Sequence, residues 1–191
     1  MNDSPLDVPA LVTKAQAIAD EAGFLLSCEP QTGGLLRTLA ATKPGGRILE
    51  VGAGVGVGTA WLLAGLDAAA TLVTLEIDEE ATDIVRTLFA DEPQVEVVHV
   101  DATEWLERYD GPPFDLVFVD TTVTKFDRRE LLIRNMAPGA ILVGDDLVAG
   151  PTWTDRHPAR VEAFLDEITR EPQLVVTLMT WASGLVVAAR R

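Results

Sequence analysis

From Arg47 onward, short β-prone runs alternate with helix-prone ones, and that alternation limits the possible folds more than any other property of the chain. RILEV precedes TAWLLAGL, TLVTLEI precedes EEATDIVRTLFA, VEVVHV precedes TEWLERY, and FDLVFVD precedes RRELLIRNM; AILVG, HPARVEAFLDEI, LVVTLMT and GLVVAARR follow. Strand cores such as LVFV are continuously apolar, as expected when helices cover both faces of a sheet, and the helical runs are long enough for right-handed parallel crossovers. Only Trp181-Ala182-Ser183 separates LVVTLMT from GLVVAARR, too little for a crossover, so these two runs form an antiparallel hairpin. The expectation is an α/β three-layer sandwich on a mostly parallel seven-stranded sheet with an antiparallel C-terminal hairpin.

Two helices precede this core. Residues 9–24 carry Leu11, Ala15, Ile18 and Ala22 at helical spacing and close near Gly23; a second helix covers 31–42, before the turn Lys43-Pro44-Gly45-Gly46. With 191 residues the chain is expected to be a single domain, 1–44 as N-terminal helices and 45–191 as the α/β core. Apolar residues make up 48% and charged residues 24%, so it buries a core and is not disordered. The net charge of −15 opposes attraction to nucleic acid and to anionic membranes. One cysteine, Cys28, precludes an intrachain disulfide, and two histidines are too few for a Cys/His zinc cage, which fits a reducing, cytoplasmic setting. The N-terminus lacks a basic region followed by an apolar one, and no apolar run reaches about 18 residues, so neither a secretion signal nor a membrane span is expected. The least regular stretch is 145–158, DDLVAGPTWTDRHP.

The segment Glu50-Val51-Gly52-Ala53-Gly54-Val55-Gly56 joins the first strand to its helix. Successive glycines let backbone approach a ligand and present helix-start N–H groups. A dinucleotide fingerprint starting at Gly52 would need glycine at Val57, and one starting at Gly54 would need glycine or alanine at Thr59; a P-loop fails because no Gly-Lys-Ser/Thr follows. The stretch EVGAGVGVGTAWLLA resembles the class I methyltransferases that use S-adenosylmethionine, and more narrowly the small O-methyltransferases related to catechol and caffeoyl-CoA methyltransferases. The resemblance runs from about Gly23 to Arg191, is concentrated in separate motifs, and implies a Rossmann-like fold.

The resemblance implies a cofactor pocket formed by Glu50, Gly52, Gly54 and Gly56. Glu76 would sit at the ribose and Asp101-Ala102 at the adenine, with Ile77 also among the cofactor-binding residues. A carboxylate at the carboxyl end of a strand is suited to accepting both ribose hydroxyls. Other roles compete. Glu76 also reads as a strand-end surface acid, Asp78, Glu79 and Glu80 as the start of the next helix, and Asp101 as a helix cap.

Asp120 follows the fourth strand and Asp145-Asp146 the fifth, so three carboxylates approach the crevice where open α/β sheets bind ligands. Mg²⁺ would relieve their repulsion and orient two acceptor oxygens. The resemblance implies the same ligands, with two departures: Asp146 replaces an asparagine, and the usual Asp-x-x-Lys becomes Asp120-Thr121-Thr122-Val123-Thr124-Lys125. Asp120 contacting the acceptor directly, with Asp145 or Asp146 bonding a loop, is the alternative. Asp120 and Lys125 are the catalytic candidates, Lys125 for proton acceptance or oxyanion stabilisation, against an ordinary surface lysine. His157 reads as a helix-start residue and His99 as a strand-packing one. Trp153 either covers a planar ligand or anchors its loop; Trp61 and Trp105 read as structural, and Trp181 as part of the final turn. The expected activity is methyl transfer from S-adenosylmethionine to a hydroxyl of a small molecule, with or without a divalent metal. The alternatives are metal-independent O- or N-methyl transfer and a noncatalytic sensor or assembly protein that binds the same cofactor. A homodimer is consistent with the resemblance.

Overall fold

The computed structural model describes residues 3–5, 7–150 and 153–191; residues 1, 2 and 6, and residues 151 and 152 of the irregular stretch 145–158, lie outside the described residues. The elements run α1 (Ala10–Ala22), α2 (Pro30–Ala41), β1 (Arg47–Val51), α3 (Val57–Leu63), β2 (Thr71–Glu76), α4 (Glu79–Leu88) and β3 (Val95–His99). They continue with α5 (Ala102–Arg108), β4 (Phe114–Val119), a π-helical turn (Val123–Asp127), α6 (Arg129–Arg134), β5 (Met136–Gly144), α7 (His157–Ile168), β6 (Leu174–Met179) and β7 (Leu185–Arg190). The sheet has seven strands in the order β3-β2-β1-β4-β5-β7-β6. Every pairing from β3 to β5 is parallel, while β7 pairs antiparallel with both β5 and β6. The Rossmann-like sandwich and its C-terminal hairpin are therefore as expected, with β7 inserted between β5 and β6.

Strand periodicity divides the core into two layers. Leu49, Val51, Val73, Leu75, Val117 and Val119 meet Leu106 of α5, Leu131 and Leu132 of α6, and Val161 and Phe164 of α7. The alternate residues Ile48, Leu72, Leu116 and Phe118 meet Val12 and Ala15 of α1, Leu36 of α2, Trp61 of α3 and Val85 of α4. Each fully buried side chain of this size contributes about 1.5–3 kcal/mol, so both faces of the central strands hold the sheet together.

Local signals set the ends of the elements. Gly23 closes α1 in the left-handed conformation, φ 64°, and Pro30 opens α2 where its missing N–H costs nothing. Asp78 caps α4 by accepting from the Ala81 N–H at 2.8 Å, with Glu79 and Glu80 in the first turn, as the sequence suggested. The buried stripe of α1 is Val12, Ala15 and Ala19, whereas Ala22, the last residue of the helix, is exposed. β5 is longer than AILVG, since Met136 already pairs with Phe114 across an irregularity in register. His99 is exposed on the edge strand β3 and bonds the Ile77 carbonyl at 3.0 Å, so it does not pack in the core. Among the described residues no helix is long and apolar enough to cross a membrane.

Candidate functional site

β1 has β2 on one side and β4 on the other, and the chain direction of the crossovers reverses there, which opens a crevice at the carboxyl ends of these strands. The loop after β1 turns through three left-handed glycines, Gly52 (φ 95°), Gly54 (φ 52°) and Gly56 (φ 93°). The N–H groups of Gly52 and Ala53 both reach the Leu75 carbonyl, at 2.9 and 3.2 Å, which ties the loop to β2. A Cβ on Gly52 would lie 2.7 Å from the Thr121 methyl and 3.0 Å from the Asp120 carbonyl, and one on Gly54 would lie 2.8 Å from the Phe24 ring. Side chains are excluded here by both backbone conformation and space.

Glu50, the fourth residue of β1, is fully buried. Its Oε2 accepts from the hydroxyls of Thr59 and Thr74 at 2.5 and 2.6 Å, while Oε1 is buried with no partner among the described residues. Desolvation raises its pKa from 4.5 to about 7, the two threonine bonds opposing the rise and Asp120 and Glu76 adding to it. A buried carboxylate oxygen without a donor, beside a glycine turn, suits a ligand cation. Glu76 ends β2, and its carboxylate accepts from the N–H groups of Gly54 (2.8 Å), Ile77 (2.8 Å) and Asp78 (3.0 Å).

Glu50, Gly52, Gly54, Glu76 and Asp120 line one cavity of about 510 Å³. A smaller cavity of about 220 Å³ adjoins at Gly52 and Glu76 and is lined by Ile77, Asp101 and Ala102. Asp101 also caps α5, accepting from Thr103 and Glu104 N–H groups at 2.8 and 3.1 Å, so the capping role and a place in the wall coexist. Gly56 is the exception among the expected cofactor residues. It lies outside both walls, and a Cβ there would meet the Phe89 ring at 2.9 Å, so its lack of a side chain serves helix packing.

A third cavity, of about 650 Å³, shares Leu26, Ser27, Cys28, Asp120 and Thr121 with the first. Asp120 therefore stands between two chambers. Its pKa is raised to about 7 by desolvation, with Lys125 opposing and Asp145 and Asp146 reinforcing. Asp145 is buried, with a pKa of about 6 caused by desolvation; its Oδ1 takes the Ser183 hydroxyl and the Asp146 N–H, the latter at 2.7 Å. Asp146 is left-handed, φ 61°, a conformation that asparagine and aspartate tolerate best after glycine. Its Oδ1 accepts from the Trp153 indole N–H at 2.7 Å, and its Oδ2 lies 3.4 Å from His157 Nε2. The three aspartates thus share the same end of the sheet but do not assemble the expected metal centre. One oxygen of Asp145 and one of Asp146 accept from protein donors, and among the described residues no group of three or more His, Cys, Asp or Glu side chains is disposed to hold a metal ion.

Lys125 is buried rather than a surface lysine, its ammonium donating to the Asp145 carbonyl. Trp153 anchors its loop, stacking on His157 at 4.4 Å between centroids as well as bonding Asp146. His157 opens α7 as expected, but it is buried beneath that tryptophan. The cavity-lining residues of the α1–α2 connection, Phe24 to Glu29, were not individually predicted. Their signal was two leucines directly after a helix stop, now exposed at 82% (Leu25) and 61% (Leu26). Cys28 has its thiol pKa raised, first by burial and then by Asp145, Asp120 and Glu50, which suppresses the thiolate.

The chain is similar to solved structures over nearly all of its length. The O-methyltransferase from Bacillus cereus in complex with SAH superposes with a TM-score of 0.84 at 25% identity, covering 97% of this chain and 93% of that one. Cofactor-bound Rv0187 from MTB superposes with a TM-score of 0.85 at 26% identity, covering 97% and 92%. A protein of Mycolicibacterium smegmatis, provisionally named an O-methyltransferase, is 28% identical over 193 residues, which span 95% of this chain and 90% of that protein. Residues 49–147, more than half of the chain and the part that carries the glycine turn, Glu76, Asp101, Asp120 and Asp145-Asp146, match the family described as "Methyltransferase domain", and the chain belongs to that family.

Proposed function

We propose that this protein transfers a methyl group from S-adenosylmethionine to a hydroxyl of a small molecule. The observation that carries the proposal is the pair of chambers meeting at Asp120, one walled by the glycine turn and two glutamates, the other by the acceptor-side loops. The Bacillus cereus relative is bound to SAH, the demethylated form of this donor, and the relatives named above as O-methyltransferases support oxygen as the acceptor atom.

The residues present suit the donor. The unpartnered Glu50 Oε1 matches the ammonium of its methionine end, and glycines at 52 and 54 leave room for close backbone approach. Glu76 would accept from a ribose hydroxyl at the Oε2 lone pair that its three N–H partners leave free, and Ile77, Asp101 and Ala102 would flank the adenine. When bound, the donor supplies a methyl group on a sulfonium, an electrophile that needs no activation by the protein. The protein's task is to align the acceptor oxygen, take its proton and exclude water. Asp120 stands where the acceptor would meet the donor, and a carboxylate with pKa about 7 suits it to accept the hydroxyl proton.

Calorimetric titration with SAH tests the donor site. Wild type should bind, and Glu76→Ala should lose about 2–3 kcal/mol, roughly 30–150-fold in affinity. Equal affinity for both proteins would remove Glu76 from the site.

A further inference from the structure

Four residues separate Asp120 from Lys125, and the π-helical turn Val123–Asp127 turns Thr124, Lys125 and Phe126 all inward. Lys125 is only 2% exposed, and its aliphatic stem runs beside Gly144, where a Cβ would lie 3.6 Å from its Cδ. Its ammonium bonds the Asp145 carbonyl and lies over the Phe126 ring, 4.8 Å from the centroid. Burial lowers the pKa of Lys125, and the carboxylates of Asp120, Asp146 and Asp145, which line the same cavity of about 650 Å³, oppose that fall. Arg160, in the wall of that cavity, is itself paired with Asp127, whereas Lys125 is buried in the same wall as the three aspartates. A buried ammonium without nearby negative charge is expensive, and so are clustered carboxylates without a cation; each relieves the cost of the other.

We propose that the cation of the acceptor chamber is the Lys125 ammonium itself, standing in for the divalent ion that Asp120, Asp145 and Asp146 would otherwise require, and that methyl transfer at this site uses no metal. The inference rests on the proposed function, since it concerns how that same site handles the acceptor. Two features support it besides the position of Lys125. Oδ1 of Asp145 is engaged by Ser183 and the Asp146 N–H, Oδ1 of Asp146 by Trp153, and a second cation would be repelled by the first. Lys125 acts here as a positioning residue: it fixes the Asp145 carbonyl from within the chamber wall.

The test is a Mn²⁺ titration followed by electron paramagnetic resonance, with SAH binding measured on the same samples. Wild type should bind SAH and show no saturable Mn²⁺ uptake up to millimolar concentration. Lys125→Gln, which retains a donor for the Asp145 carbonyl, and Lys125→Met, which retains the bulk, should each gain saturable Mn²⁺ binding, at least tenfold tighter than wild type. A merely structural lysine would not produce that gain. Stoichiometric Mn²⁺ binding by wild type that still binds SAH would overturn the inference alone, and so would folded variants that gain no Mn²⁺ affinity. Absence of SAH binding to wild type would overturn the proposed function and the inference together.

Discussion

Glu50 is held in a state that favours its protonated form in the absence of ligand. Its folded pKa of about 7 exceeds the ordinary 4.5, so its contribution to stability is fully present below pH 4.5 and is lost as pH rises through about 7. That difference corresponds to at most about 3 kcal/mol. Glu50→Gln should therefore melt above wild type at about pH 8, with the gap closing as pH falls toward 4.5. The same substitution should weaken SAH binding, because a neutral amide cannot neutralise an ammonium. Wild-type affinity for SAH should itself fall as pH drops below about 7, by up to tenfold per unit. Differential scanning fluorimetry and calorimetry across that range read both effects, and a pH-independent gap in melting temperature would contradict the burial assigned to Glu50. At Asp120, Asn substitution should lower kcat by about 10²–10⁴-fold while leaving SAH affinity within a few-fold, as expected when a proton acceptor is lost and the donor site is kept.

At the scale of the elements, the glycine turn shows how fold and site share the same residues. Gly52→Ala would combine a strained φ of 95° with contact against Thr121 and the Asp120 backbone, so it should cost about 2–3 kcal/mol, or about 4–12 °C in Tm, and abolish SAH binding. An unchanged Tm would show that the loop relaxes away from β4. This turn was legible in the sequence because only glycine satisfies three left-handed positions in five residues, and the strands around it were legible because apolar runs of five or six residues sit between helical periods. The π-helical turn was not legible. Its residues, Val-Thr-Lys-Phe-Asp, carry no cap and no periodicity, and the buried Lys125 bonds the Asp145 carbonyl at the end of another strand, a contact that no local pattern reports. His157 and Trp153 were placed correctly along the chain, yet their stacking over Asp146 depends on a loop whose path is set by tertiary contacts.

For the molecule as a whole, alternation and loop length specified the layers and the terminal hairpin but not the order of the last strands. β7 lies between β5 and β6 because its Val186 and Ala188 complete the core beside Leu142, a choice made by packing across the sheet. A chain ended after Arg170 would leave β5, apolar and central, as an open edge, and should be recovered as aggregate rather than as a monodisperse protein in size-exclusion chromatography. The site depends on the same architecture, since Glu50, Glu76, Asp120 and Asp145-Asp146 come from the carboxyl ends of β1, β2, β4 and β5 and are brought together by the sheet. The most direct test of the central claim is a crystal structure of the protein grown with SAH. Density for SAH should run from Glu50 across the glycine turn to Glu76, with its sulfur facing Asp120. SAH bound elsewhere, or that chamber closed at saturating SAH, would contradict the assignment.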